Sequence, residues 1–328
     1  MIKRPTIADV ALEAGVARST VSKVVNKTQK LGANTEAKVW KAVSKLGYQA
    51  STHAQILSTG RSWAIGIVIL DIQNPHFTAL VKGATQTAAE KNYVVLLSDA
   101  QENPKREHQL IQTLRARTDG LILAGSRLSD AELAALHSPE HPIVTVGRVI
   151  EGVPSVAVDE RTAALQLTSH LVNQGKKRIL YLSGPAFWVN TERQAGYKQA
   201  LEQAKLPAQV LPLSTPDLKG GEQASAQLWK TTPLPDAIIC YNDMAAIGLM
   251  AALKTLGIKI PHEVSIAAFG NHPLAAHLTP SLTHMEIPSQ QLGEQAVELL
   301  LEMLEKPAPP QHLVQYAVLR TRESTRAT

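Results

Sequence analysis

Cysteine is almost missing: the 328-residue chain holds one, Cys240. That excludes an intramolecular disulfide and any cysteine-built zinc site. Long apolar runs are missing too. None approaches the ~20 residues that cross a bilayer, and the opening MIKRPTIADV carries no signal-peptide core. No membrane partner is therefore expected, and the cytoplasm is the expected location. The signatures of catalysis are absent as well: no Gly-x-Ser-x-Gly elbow, Walker loop, Gly-x-Gly-x-x-Gly or His-Glu-x-x-His. His137 and His141 are four apart, but Pro139 between them disfavours the helix that would aim both at one metal. The expectation is a protein that is not an enzyme and holds no metal and no cofactor.

Acidic residues are scarce in one place. Residues 1–62 carry ten Lys or Arg against three acids, a net +7. The remainder carries 23 basic against 25 acidic residues, a net −2. A small basic head thus precedes a nearly neutral body, and a head of that sign suits a polyanion, either nucleic acid or an anionic membrane. A solvated basic tail is the alternative, but the head has helical periodicity. Ile7, Val10, Ala11 and Ala14 share one face, with Thr6 as a cap and Gly15 as a stop. After the turn Gly15-Val16-Ala17, Val21, Val24 and Val25 line one side of a second segment, and Arg18, Ser19, Ser22, Lys23 and Asn26 line the other. A third helix is predicted from Gly32 to Leu46, with Val39, Val43 and Leu46 inward and Gly47 as its end.

Two short helices about a glycine turn, supported by a third, describe a helix-turn-helix. In such a motif the N-terminal end of the second helix reads base edges, here Arg18 and Ser19. Thr20, Ser22, Lys23, Asn26 and Lys30 can reach bases or phosphates. Double-stranded DNA is the expected partner.

The stretch TIADVALEAGVARSTVSKVVN resembles the opening of the lactose-repressor (LacI/GalR) family of bacterial transcription regulators. The match lies in Asp9–Ala11, Ala14–Val16, Thr20–Ser22 and Val25-Asn26, and continues through Lys45-Leu46-Gly47-Tyr48. With the resemblance, Thr6 and Tyr48 join the DNA-contact set. Residues 49–61, QASTHAQILSTGR, correspond to the family's hinge, which folds on the operator and wedges a leucine into the minor groove. Ala54 and Leu57 occupy the wedge positions. Ala50-Ser51 stands where members usually have Pro-Asn, which implies a looser linker without DNA.

From Trp63 onward, β-branched runs alternate with amphipathic segments. Ala64–Leu70, Tyr93–Leu97, Gly120–Ala124, Ile143–Val146, Ile179–Leu182, Ala237–Cys240 and Val264–Phe269 read as strands. Phe77–Lys91, Lys105–Arg115, Thr162–Asn173, Glu192–Ala204, Glu222–Leu228 and Met244–Leu256 read as helices. Such alternation builds doubly wound parallel sheets with ligand crevices at strand C-termini. The fold class expected is a small all-α helix-turn-helix head plus an α/β two-lobed effector domain resembling type I periplasmic binding proteins. The division is residues 1–50 for the head, 51–62 for the hinge and 63–328 for effector binding and dimerisation. Lobe 1 takes about 63–159 and 288–315, and lobe 2 about 160–287 and 316–328. Arg320-Thr321-Arg322-Glu323-Ser324-Thr325 matches the family's ending, and no leucine-heptad tail for tetramers follows it.

Effector candidates lie in loops after strands. Asn74 and Phe77 resemble the Asn-Pro-aromatic loop of sugar-binding relatives, with His76 between them. Arg193 matches the family's ligand-clamping arginine. In Tyr241-Asn242-Asp243, Asn242 is expected to face the ligand and Asp243 to cap a helix. Two positions that commonly hold aspartate in the family this chain resembles are here Gly147 and Gly270, followed by Arg148 and Asn271. Two missing carboxylates beside Arg148, Arg193, His76 and His272 predict a positive cleft and an acidic effector, a sugar acid of the gluconate type. The resemblance implies a homodimeric repressor of carbohydrate or sugar-acid genes on a palindromic operator. The competing reading is a cytoplasmic binding protein or sugar-processing enzyme with an incidental basic head. Operator, effector and the direction of its effect stay open.

Overall fold

The computed structural model describes residues 5–25, 29–48, 60–228, 233–306 and 309–326. It divides into two compact units, Met1–Trp63 and Ala64–Thr328.

The first unit contains α1 (Ile7–Ala14), α2 (Arg18–Val25) and α3 (Ala33–Leu46). A capping box starts α1: the Thr6 amide donates to Asp9 Oδ2 at 2.7 Å, and the Asp9 amide donates to Thr6 Oγ1 at 3.4 Å. Gly15 ends it at φ 65°, a left-handed turn that other residues adopt only at a cost. Val10, Ala11, Val21, Val24, Val39 and Ala42 close the core. Val25, Val43 and Leu46 pack against it half-buried, so the third helix turns Ala42 inward more fully than the predicted Val43.

The second unit opens with β1 (Ala64–Ile69), α4 (Pro75–Glu90), β2 (Val94–Asp99), α5 (Pro104–Arg115), β3 (Gly120–Ala124), α6 (Asp130–Leu136), β4 (Ile143–Val146) and β5 (Ser155–Val158). It continues through α7 (Glu160–Asn173), β6 (Ile179–Ser183), α8 (Trp188–Gln203), β7 (Gln209–Pro212), α9 (Leu218–Leu228), β8 (Ala237–Cys240), α10 (Asp243–Thr255) and β9 (Ser265–Gly270). A 3-10 turn at Pro273–Ala276 leads to β10 (Thr283–Glu286), α11 (Ser289–Glu305), β11 (His312–Gln315) and β12 (Val318–Arg320). Among the described residues no helix is long and apolar enough to cross a membrane.

The strands form two six-stranded sheets, ordered β11-β5-β4-β3-β1-β2 and β12-β10-β9-β8-β6-β7. Every pairing is parallel except β10 with β12. All six residues of β1 are buried, as sheets covered on both faces require. One face of the first sheet packs on α4 and α11, and the other on α5 and α6. The second sheet lies between α9–α10 and α7–α8 in the same way. The chain passes between sheets after β5, after β10 and between β11 and β12. All three passages leave from the β11-β5 and β12-β10 edges, so the interlobe hinge, a different feature from the 51–62 linker, lies on one side and loops after the strands of both sheets meet beside it.

Two helices start a turn earlier than their periodicity predicts. In α9 the early turn holds Gly220 and Gly221, residues of low helix propensity. A Cβ on Gly220 would fall 1.9 Å from the Thr215 carbonyl oxygen, and one on Gly221 2.0 Å from that of Ala245. Close packing, not flexibility, explains both. In α8, Trp188 follows Phe187, an N-cap without a side-chain bond, so no polar signal marks the start.

Candidate functional site

On the head, α2 is two-faced. Val21 and Val24 are buried, while Arg18, Ser19 and Lys23 are exposed on the outside. Lys30 is exposed beyond the helix, and Thr20 and Ser22 are half-buried beside it. The exposed Thr6 caps α1, and Tyr48 packs half-buried against the core. Asn26, Ala54 and Leu57, with most of the hinge segment, lie outside the described residues. A helix bearing this cationic, hydroxyl-rich face has the chemistry to enter a major groove.

On the body, the loops after β1, β3, β4, β6, β8 and β9 converge on one cavity between the two sheets. Asn74, His76, Phe77, Arg148, Arg193, Asn242 and Asn271 all line it. Most are also committed locally. Asn74 accepts the His76 amide at 3.0 Å and starts α4, and Phe77 is 6% exposed with its ring in the core. Asn242, not Asp243, caps α10: its Oδ1 accepts the Ala245 amide at 2.8 Å, and its Nδ2 donates to the Pro216 carbonyl at 2.7 Å. Asn271 is exposed and open to the cavity.

Arg193 is buried and braced. Its Nε and Nη2 donate to Glu160 at 2.7 and 3.1 Å, and its Nη1 donates to the Tyr241 carbonyl at 2.7 Å. The guanidinium lies 4.4 Å from the Phe269 ring centroid. A guanidinium has five N–H groups, so two remain for a ligand. Arg148 donates to the Leu128 carbonyl at 2.7 Å and pairs with Asp130. Arg127 pairs with Glu102 at 2.6 Å.

These pairings correct the expectation of a positive cleft. Each of its three arginines carries a carboxylate. Burial, and then the Arg193 charge, push the His76 imidazole down to about 4, so it is neutral near pH 7. Its Nδ1 meets Ser289 Oγ at 2.8 Å. His272 is also lowered, chiefly by burial. A carboxylate does stand beside Gly270: Asp243, 3% exposed, accepts the His272 amide at 2.7 Å and faces His284 Nδ1 at 3.2 Å. A Cβ on Gly270 would fall 2.5 Å from Asp243 Oδ2, whereas one on Gly147 meets nothing nearer than Val189 at 3.9 Å. Glycine at 270 makes room for Asp243, and at 147 it leaves open cavity.

The sequence reading missed Glu102, Arg127, Glu160, Phe187 and Trp188, which also line the cavity. Glu160 carried a faint signal, an acid directly after a predicted lobe crossing. The others depend on which loops meet across the cleft. His137 and His141 share nothing: the first accepts the Ile143 amide, and the second reaches the Thr118 carbonyl. Among the described residues no cluster of ligand-type side chains could hold a metal.

Two family models match the chain: "Bacterial regulatory proteins, lacI family" over residues 6–51, and "Periplasmic binding proteins and sugar binding domain of LacI family" over 62–322. The HTH-type transcriptional regulator GalR of Escherichia coli (strain K12) is 32% identical over 311 residues, covering 93% of this chain and 91% of that one. The ribose operon repressor of Halalkalibacterium halodurans is 33% identical over 304 residues, covering 92% and 91%. Among solved structures, the lac repressor dimer bound to operator and the anti-inducer ONPF aligns with a TM-score of 0.89. That alignment has 25% identity and covers 99% of this chain and all of that one. With its tri-helical head and two-sheet body each matched by a model of the same family, the chain belongs to the LacI family of bacterial regulatory proteins.

Proposed function

We propose that this protein is a cytoplasmic, effector-controlled repressor that binds a palindromic operator as a homodimer. The observation that carries it is the outward face of α2, where Arg18, Ser19 and Lys23 stand clear of the valines that anchor the helix. Arg18 and Ser19 read base edges at the helix N-terminus, while Lys23 and Lys30 hold phosphates. Thr20, Ser22, Tyr48 and, beyond the described residues, Asn26, Ala54 and Leu57 complete the contact set. Symmetric half-sites follow from a two-fold dimer.

The effector is a small, neutral, polyhydroxylated molecule of the sugar class. A sugar acid needs surplus positive charge, and the pairing of Arg127, Arg148 and Arg193 with carboxylates argues against it. Arg193, with two N–H groups not used in its own bonds, and Asn74, Asn242 and Asn271 offer hydroxyl partners in this cavity. GalR and the ribose operon repressor carry sugar names, which favours the same class.

Selection from random duplexes, followed by gel shift, tests the DNA half. The expected result is one near-palindromic site whose affinity falls steeply with salt. Equal affinity for all duplexes would overturn the reading. Calorimetry with D-galactose, D-ribose and D-gluconate tests the effector class: binding of gluconate alone would reinstate the sugar acid.

A further inference from the structure

The interlobe hinge sits at the β11-β5 and β12-β10 edges, so the opposite edges, β1-β2 and β6-β7, form the mouth of the cleft. Glu102 follows β2, Arg127 follows β3, and Phe187 follows β6. The Arg127 guanidinium of one lobe lies over the Phe187 ring of the other, 3.9 Å from its centroid. Behind it, Nε and Nη2 both meet Glu102 Oε2, at 2.7 and 2.6 Å, and Nη1 reaches the Gly125 carbonyl at 3.3 Å. The Arg127 amide donates to Glu107 Oε2 at 2.9 Å, a carboxylate 1% exposed and also bonded to Ser126. Burial raises the Glu107 carboxyl, and it is committed to this one loop. A buried acid thus holds the loop, a second acid aims the guanidinium, and the aromatic face on the far lobe receives it.

We infer that Glu102, Arg127 and Phe187 form a clasp across the cleft mouth that an effector must part to enter and that closes again over it. The clasp decides which ligands are admitted and how long they stay. Its place makes it effective, because rotation about the hinge separates the mouth more than any other part of the cleft. The cation–π contact gains strength from the desolvation of a guanidinium side chain only 8% exposed. This deepens the reading of the cleft as an effector site and rests on it. A failed gel shift would sink the DNA reading while leaving the measurement below intact.

The test uses the full chain without effector or DNA. Lys105 in α5 and Lys198 in α8, both exposed and on different lobes, become Lys105→Cys and Lys198→Cys for spin labels. Native Cys240 is buried and its thiol is raised by burial, so it stays unlabelled. Labelled chains are diluted in unlabelled ones, so that each double electron–electron resonance distance is intramolecular. The parent is expected to give one dominant short distance. Phe187→Ala and Arg127→Met are each expected to shift the closed-to-open ratio roughly ten-fold toward longer distances. Phe187→Tyr keeps the ring and is expected to stay closed. The double variant is expected to open no further than either single one, since both remove the same contact. Unchanged distances in Phe187→Ala and Arg127→Met, with native circular dichroism, would overturn the clasp, as would fully additive opening.

Discussion

Arg193 and Glu160 form a buried pair, 7% and 5% exposed, inside the cleft that binds the effector in our reading. A buried pair is a poor source of net stability but a costly one to break, because the survivor is left charged and dry. Glu160→Gln is therefore expected to destabilise the body by about 3 kcal/mol in urea unfolding. It should also abolish effector response without lowering operator affinity at the α2 face. Gly270 and Gly147 make a second pair of residue-scale cases. Both have positive φ, 149° and 87°, so alanine strains either backbone. Only at 270 does the new Cβ also strike a buried carboxylate, which anchors the His272 loop. Gly270→Ala is thus expected to lower the melting temperature clearly more than Gly147→Ala. Equal losses would mean that Asp243 moves aside at little cost.

At the scale of elements, the head separates folding from reading. Thr6 satisfies the start of α1, and Thr6→Ala is expected to cost about 1 kcal/mol of head stability. Lys23→Ala is expected to weaken operator and random duplexes alike and to reduce the salt slope by about one, as a phosphate contact does. Arg18→Ala should instead relax the preference at one base pair, costing about 1–3 kcal/mol there. The strands that were legible in the sequence, the edge strand β2 apart, share a cause. Runs such as Ala64–Ile69 and Ala237–Cys240 are buried on both faces, so composition alone marks them. β7 and β12 are edge strands with mostly exposed residues, and only pairing with a neighbour defines them. The cleft divides along the same line. Arg193 and Asn242 sit in local motifs and were readable, while the charge state of the cleft was not. It is set by Glu160, 33 positions before its partner, and by Glu102, 25 before Arg127.

For the whole molecule, five half-buried histidines give a pH dependence whose sign can be worked out. His76, His137, His141, His170 and His272 are all lowered from 6.5, with burial the first cause in each, and His76 goes to about 4. As pH falls below 6.5 the unfolded chain takes up protons on these rings more readily than the folded chain does. Unfolding then absorbs protons, and stability falls as pH drops from about 6.5 toward 4. Glu107, raised by burial, acts in the opposite sense, because its folded form keeps a proton that the unfolded carboxyl releases. The five lowered rings act together over this range, His76 down to about 4, so the melting temperature of the body is expected to fall from pH 7 to pH 5. His76→Gln should flatten that decline by removing the ring with the largest lowering. An invariant melting temperature over this range would mean that the rings open to solvent before the body unfolds. The cleft, where His76 meets Ser289 beside Arg193, would then be the first part of the body to yield.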